Sequence, residues 1–168
     1  MSTRAVLHPL ALVALALLIA NDHVLKAAFP GWWTGKLSDV AGLAVFPLLV
    51  AAGGELAGLW RGDRRTVVVL AVITGVVFAA IKLSPLAGDG YRVAQAALQW
   101  PFRALAALAH GRGAPGLGRA HLTPDVTDLL ALPALLVSPA LLAATVRAAV
   151  SSPRASGRPP EPAAAPGR

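Results

Sequence analysis

The sequence predicts an all-α integral membrane helical bundle of about four transmembrane helices plus an interfacial amphipathic helix. Three observations carry that expectation. Of the 168 residues, 56% are hydrophobic and only 14% charged, whereas soluble domains carry about a quarter charged residues. The apolar residues fall in four blocks, each near the ~20 residues that a helix needs to cross a bilayer. The charged side chains collect where the blocks end.

The first block is apolar from Ala5 to Ala20 apart from His8 and Pro9, and a span is expected over 5–25. Its charged start at Arg4 also fits a signal peptide, but Leu18 and Ala20 make a poor small-residue cleavage site, so it is read as a helix. The second span is expected over 37–60, with Asp39 near its start and Glu55 near its end. The third, over 66–83, lies between Arg64–Arg65 and Lys82. The fourth runs over 126–146, stops at Arg147 and contains Pro133 and Pro139, which membrane helices tolerate better than soluble ones.

Between the last two spans, residues 91–109 repeat polar side chains every four positions at Gln95, Gln99 and Arg103. That period predicts an amphipathic helix lying at the interface, with a fifth short span as the alternative. Gly111 to Gly118 is turn-like. The tail, residues 151–168, is rich in Pro, Ala, Ser and Arg and is expected to be disordered.

No cysteine is present, which excludes disulfides, thiolate metal sites and a cysteine nucleophile. The formal net charge is +7, but no basic face carries stacking aromatics, so nucleic acid is not an expected partner. The basic residues read instead as topology signals and lipid contacts. Arg61, Arg64 and Arg65 crowd one short connection and Arg147 ends the last span, which predicts both termini on the cytoplasmic side.

Four-span topology gathers distant residues at one membrane face: Asn21, Asp22, His23, Lys26, Thr34, Lys36, Ser38, Asp39, Lys82, Ser84, His121, Thr123, Asp125 and Asp128. The other face holds mainly arginines. Mixed charges near membrane depth are costly unless paired, hydrated or functional, so the first face is the candidate site. Its binding candidates are Asp22, His23, Lys26, Lys36, Ser38, Asp39, Lys82, Asp125 and Asp128. An internal echo points the same way. Asp39, Val40, Leu43 and Pro47 match Asp125, Val126, Leu129 and Pro133 in spacing, and Lys-Leu-Ser occurs at both Lys36 and Lys82. Two related hairpins in parallel orientation would produce that pattern.

Plainer roles exist for the same residues. Thr34, Ser38, Thr123 and Asp125 are N-cap types, Asp39 and Asp128 suit the positive end of a helix, and the lysines can snorkel. Trp32 and Trp33 fit an interfacial belt, and Glu55 a structural contact on the arginine side. Sharper chemistry needs convergence. His23 with Asp39 or Asp125 would make an acid–base pair for a lipid-modifying enzyme. His121, Asp125 and Asp128 stand at i, i+4 and i+7, a metal-binding face if the helix extends back to His121. No zinc-protease or serine-hydrolase motif is present, and no cofactor is implied.

The stretch Asn21–Pro47, with Thr34 to Asp39 reading Thr-Gly-Lys-Leu-Ser-Asp, resembles a group of small, uncharacterised bacterial integral membrane proteins. Lys82 to Pro85 and Asp125 to Leu129 look like later parts of the same pattern. The resemblance implies architecture and no reaction. A fainter likeness to VanZ-like four-helix membrane proteins rests on helix count and an early His and Lys. The sequence therefore leads to a membrane protein that binds a partner, lipid or ion at the polar face. The alternatives are an enzyme acting on a lipid or lipid-linked substrate, and a small transporter subunit. Expected partners are membrane lipids and a homo-oligomer or a membrane protein partner.

Overall fold

Local breaks in the apolar pattern divide the described residues into six helices. The structure is a computed structural model that describes residues 1–29, 31–120, 122 and 125–151. Four of the helices are long and apolar enough to cross a membrane: α2 (Pro9–Ala28), α3 (Trp32–Leu56), α4 (Arg64–Leu83) and α6 (Val126–Ser151). A short α1 (Ser2–Val6) precedes them, and α5 (Pro85–Ala109) lies between α4 and α6. The protein is a multi-pass membrane bundle.

The first span does not begin at Ala5. His8 takes an extended backbone, its ring Nδ1 accepts from the Leu10 N–H at 3.3 Å, and Pro9 opens α2. A residue before proline avoids the helical region, so the chain bends there and α1 becomes a separate turn. Near its far end α2 widens into a π turn over Asn21–Leu25, where the Lys26 N–H reaches back five residues to the Asn21 carbonyl. Such turns occur often at functional sites.

The second span is shifted towards the N-terminus relative to 37–60. It starts at Trp32 and ends at Leu56 in a glycine cap. Gly58 takes φ +69°, and the Gly58 and Leu59 N–H groups donate to the Glu55 and Gly54 carbonyls at 3.2 and 2.9 Å. That reciprocal pair closes the helix end, and only glycine adopts the conformation cheaply. α4 starts where Asp63 accepts from the Thr66 N–H at 2.8 Å. The amphipathic helix starts at Pro85 instead of 91, because Ser84 caps it and proline fits its first turn.

α6 is wound tightly as a 3₁₀ helix over Val126–Leu136 and becomes α-helical from Val137. Pro133 and Pro139 have no N–H and cannot donate to the carbonyls four residues back. Ser151 is the last residue of α6; the rest of the expected tail lies outside the described residues.

α3 is the hub, the most buried of the four spans. Its Ala44, Val45, Leu48 and Ala51 pack with Ala5, Ala11, Val67, Leu141 and Leu142. Small side chains dominate these contacts because membrane helices gain from close backbone approach, not from expelling water. At Gly75 of α4, a Cβ would lie 2.8 Å from Leu135 Cδ1, so glycine sets how near α4 and α6 come. Ser138, fully buried, donates to the Ala44 carbonyl at 2.8 Å and ties α6 to α3 near the middle of both helices.

Candidate functional site

The end of α2, the starts of α3 and α6 and the end of α4 meet at one face of the bundle. At the centre is Asp128 in the first turn of α6, only 7% exposed. One carboxylate oxygen accepts from Lys36 Nζ at 2.8 Å, the other from Lys82 Nζ at 2.6 Å. The two lysines, from the repeated Lys-Leu-Ser triplets, therefore converge on one aspartate. Lys36 also donates to Thr127 Oγ1 at 2.6 Å, lies 3.4 Å from Asp125 and sits 4.9 Å from the centroid of the Trp32 ring. Lys82 lies 3.4 Å from Asp39 and 5.3 Å from the Phe78 ring centroid.

A second polar chain joins α2 to α3. Asn21, fully buried, donates through Nδ2 to the Thr34 carbonyl and to Ser38 Oγ, both at 2.6 Å. Ser38 Oγ donates in turn to Asp22 at 2.5 Å, and Lys26 donates to Asp22 at 2.7 Å. Asn21 Oδ1 has no hydrogen-bond partner among the described residues. The π turn places Asn21 and Asp22 towards α3 and leaves His23 exposed.

His23 is the expected site residue that the structure does not bring in. Its Nδ1 lies 3.0 Å from the Ile19 carbonyl, and it does not line the cavity described below. The expected metal-binding face rests on a helix that extends back to His121. Asp125 is extended (φ −139°, ψ 116°) and caps α6, so the described helix begins at Val126. Among the described residues no three His, Asp or Glu side chains could hold a metal ion; His121 and Thr123 lie outside those residues.

Thr34 and Ser38 sit inside α3 and do not cap it; Thr34 Oγ1 donates to the Gly31 carbonyl at 2.9 Å. Asp125 does cap, accepting from the Thr127 N–H at 2.9 Å and the Thr127 hydroxyl at 2.7 Å. The hydroxyl bond first, then the N–H and nearby Lys36, hold the Asp125 carboxyl below its ordinary value. Glu55 lies at the opposite face, where it accepts from the Met1 amino group, Ser2 Oγ and the Thr3 N–H.

The polar side chains line a cavity of about 780 Å³ that includes Asp22, Lys26, Lys36, Ser38, Asp39, Lys82, Asp125 and Asp128. Tyr91 and Gln95 of α5 close one side. Gln95 is the first of the polar repeat at Gln95, Gln99 and Arg103, and it faces this cavity together with Tyr91 one turn before it. Burial pushes the Tyr91 hydroxyl pKa up, with Lys82 opposing the shift. A second, apolar groove of about 410 Å³ runs between α3 and α4 past Leu43, Phe46, Ile73, Val77 and Phe78. The two share Ser38, Asp39, Lys82, Tyr91 and Leu122.

Fold and site together define a multi-pass membrane helical bundle with a buried charged cluster at one face. No family model, curated protein or solved structure matches the chain.

Proposed function

We propose that the protein is a non-enzymatic lipid-binding protein of the bacterial cytoplasmic membrane. What carries the reading is the continuity of the polar cavity with the apolar groove through Asp39, Lys82 and Tyr91. A ligand that fills both has a polar head and an apolar tail, which is the chemistry of a lipid. Pockets for such ligands combine apolar walls with a few oriented polar groups. An ion is less well matched, because Lys36 and Lys82 occupy Asp128 and leave Asp39 alone short of the several oxygen ligands a hard cation takes. An acid–base enzyme would need His23 beside Asp39 or Asp125, and His23 faces the Ile19 carbonyl instead.

The orientation we favour puts the arginine connection around Arg61 to Arg65 and both termini in the cytoplasm, with the polar cluster at the outer face. Reporter fusions after Ser151 and near Gly111 check it. An externally located C-terminal reporter would reverse the topology.

Photoactivatable fatty acids incorporated into cellular lipids test the binding reading directly. Crosslinks should concentrate on peptides containing Phe46 and Phe78. Uniform labelling of the outward apolar faces of α2 and α4, without enrichment in the groove, would refute it.

A further inference from the structure

The charges lining the cavity do not cancel. Among the described residues Asp22, Asp39, Asp125 and Asp128 face it with Lys26, Lys36 and Lys82, which leaves one negative charge in excess at formal ionisation. Each lysine already has a carboxylate within 2.8 Å: Lys26 on Asp22, and Lys36 and Lys82 on Asp128. Among the described residues no cation lining the cavity is left over to receive a phosphate. Asp125 is satisfied by its cap to Thr127. Asp39 is different. Its one ion-pair contact among the described residues is Lys82 at 3.4 Å, and that lysine is held more closely by Asp128 at 2.6 Å. Asp39 also borders both the polar cavity and the apolar groove.

A carboxylate at membrane depth with a weak partner is expensive until a cation or a strong donor reaches it. The geometry points to a lipid with an ammonium-bearing headgroup, its ammonium on Asp39 and one acyl chain in the α3–α4 groove. This deepens the lipid-binding reading and rests on it. The ammonium offsets the excess negative charge at Asp39 while the lipid's own phosphate stays at the water-facing mouth of the cavity, whereas an anionic headgroup would bring negative charge with no ammonium to offset it. The groove wall is open for the chain at Gly42, where a Cβ would meet nothing within 4 Å. Gly42→Leu therefore adds bulk to the groove from a position with room for its first carbon.

The full-length protein in nanodiscs of equimolar phosphatidylethanolamine and phosphatidylglycerol, followed by native mass spectrometry, separates the possibilities. Phosphatidylethanolamine should be retained over phosphatidylglycerol by about tenfold. That preference should vanish in Asp39→Asn and persist in Asp39→Glu, while Gly42→Leu should lose both lipids. Equal or preferential retention of phosphatidylglycerol overturns the headgroup assignment and leaves lipid binding standing. Selectivity unchanged in a folded Asp39→Asn protein removes Asp39 from the site. Retention of neither lipid by the wild-type protein sinks the lipid reading itself.

Discussion

Asp128→Asn keeps the shape of the side chain and removes the charge that Lys36 and Lys82 share. The side chains of Asp128 and Lys82 are 9% and 8% exposed, so water cannot take over the lost partner. Breaking a buried pair from one side costs about 3–5 kcal/mol, because the other charge is stranded. Asp39 lies 3.4 Å from Lys82 and can close in, which places the expected loss near the lower end, at about 3 kcal/mol. For a chain of this size each kcal/mol moves the melting midpoint by roughly 2–4 °C, so the drop should be about 6–12 °C. Tryptophan-detected melting of the detergent-solubilised protein measures it. Adding Lys82→Met should recover part of the loss, since the stranded charge is gone; such neighbours couple by about 0.5–3 kcal/mol. A midpoint for Asp128→Asn within about 2 °C of wild type, less than the shift from 1 kcal/mol, would refute the reasoning. The cluster would then be hydrated, and its lysines independent of Asp128.

Ser138→Ala removes the hydroxyl that bonds the Ala44 carbonyl. It should cost about 0.6–2 kcal/mol in the same melting assay, the range for hydrogen bonds between membrane helices. Gly54→Leu should displace the Trp60 indole, which occupies the space a Cβ would need and donates to the Ala51 carbonyl at 3.2 Å. Stronger acrylamide quenching of tryptophan fluorescence would register the displacement, and unchanged quenching would count against the packing. Acid should loosen the start of α6. The Asp125 pKa is lowered in the folded protein, so its stabilisation is complete above the unfolded value of about 3.9 and is lost as pH falls through the folded one. Asp125→Asn, which still caps, should flatten the pH dependence of melting below about pH 4.

Much of the architecture is legible in the sequence because a bilayer imposes a simple rule. Backbone polar groups must be satisfied within each crossing segment, so long apolar blocks become helices. The meeting of Lys36, Asp39, Lys82, Asp125 and Asp128 follows from chain direction alone. Some misplaced boundaries also had local signals. His8-Pro9 marks a bend and Ser84-Pro85 a helix start, but apolar periodicity outweighed both. The placement of His23 could have been anticipated in part. Asp22 and Lys26 stand four apart on one helix face, while the next residue turns by about 100°.

Other features depended on distances that no local pattern encodes. The sequence by itself determined a four-span bundle and a gathering of charges at one face, since hydrophobicity and chain direction decide both. Only the tertiary structure decided the pairings: Asp128 as the shared partner of two lysines, Asp39 with a looser contact, and the polar cavity opening onto an apolar groove. A difference between 2.6 and 3.4 Å depends on the depth and rotation of each helix against its neighbours. Those are set by small-residue packing along α3, the π turn in α2 and the tight winding of α6.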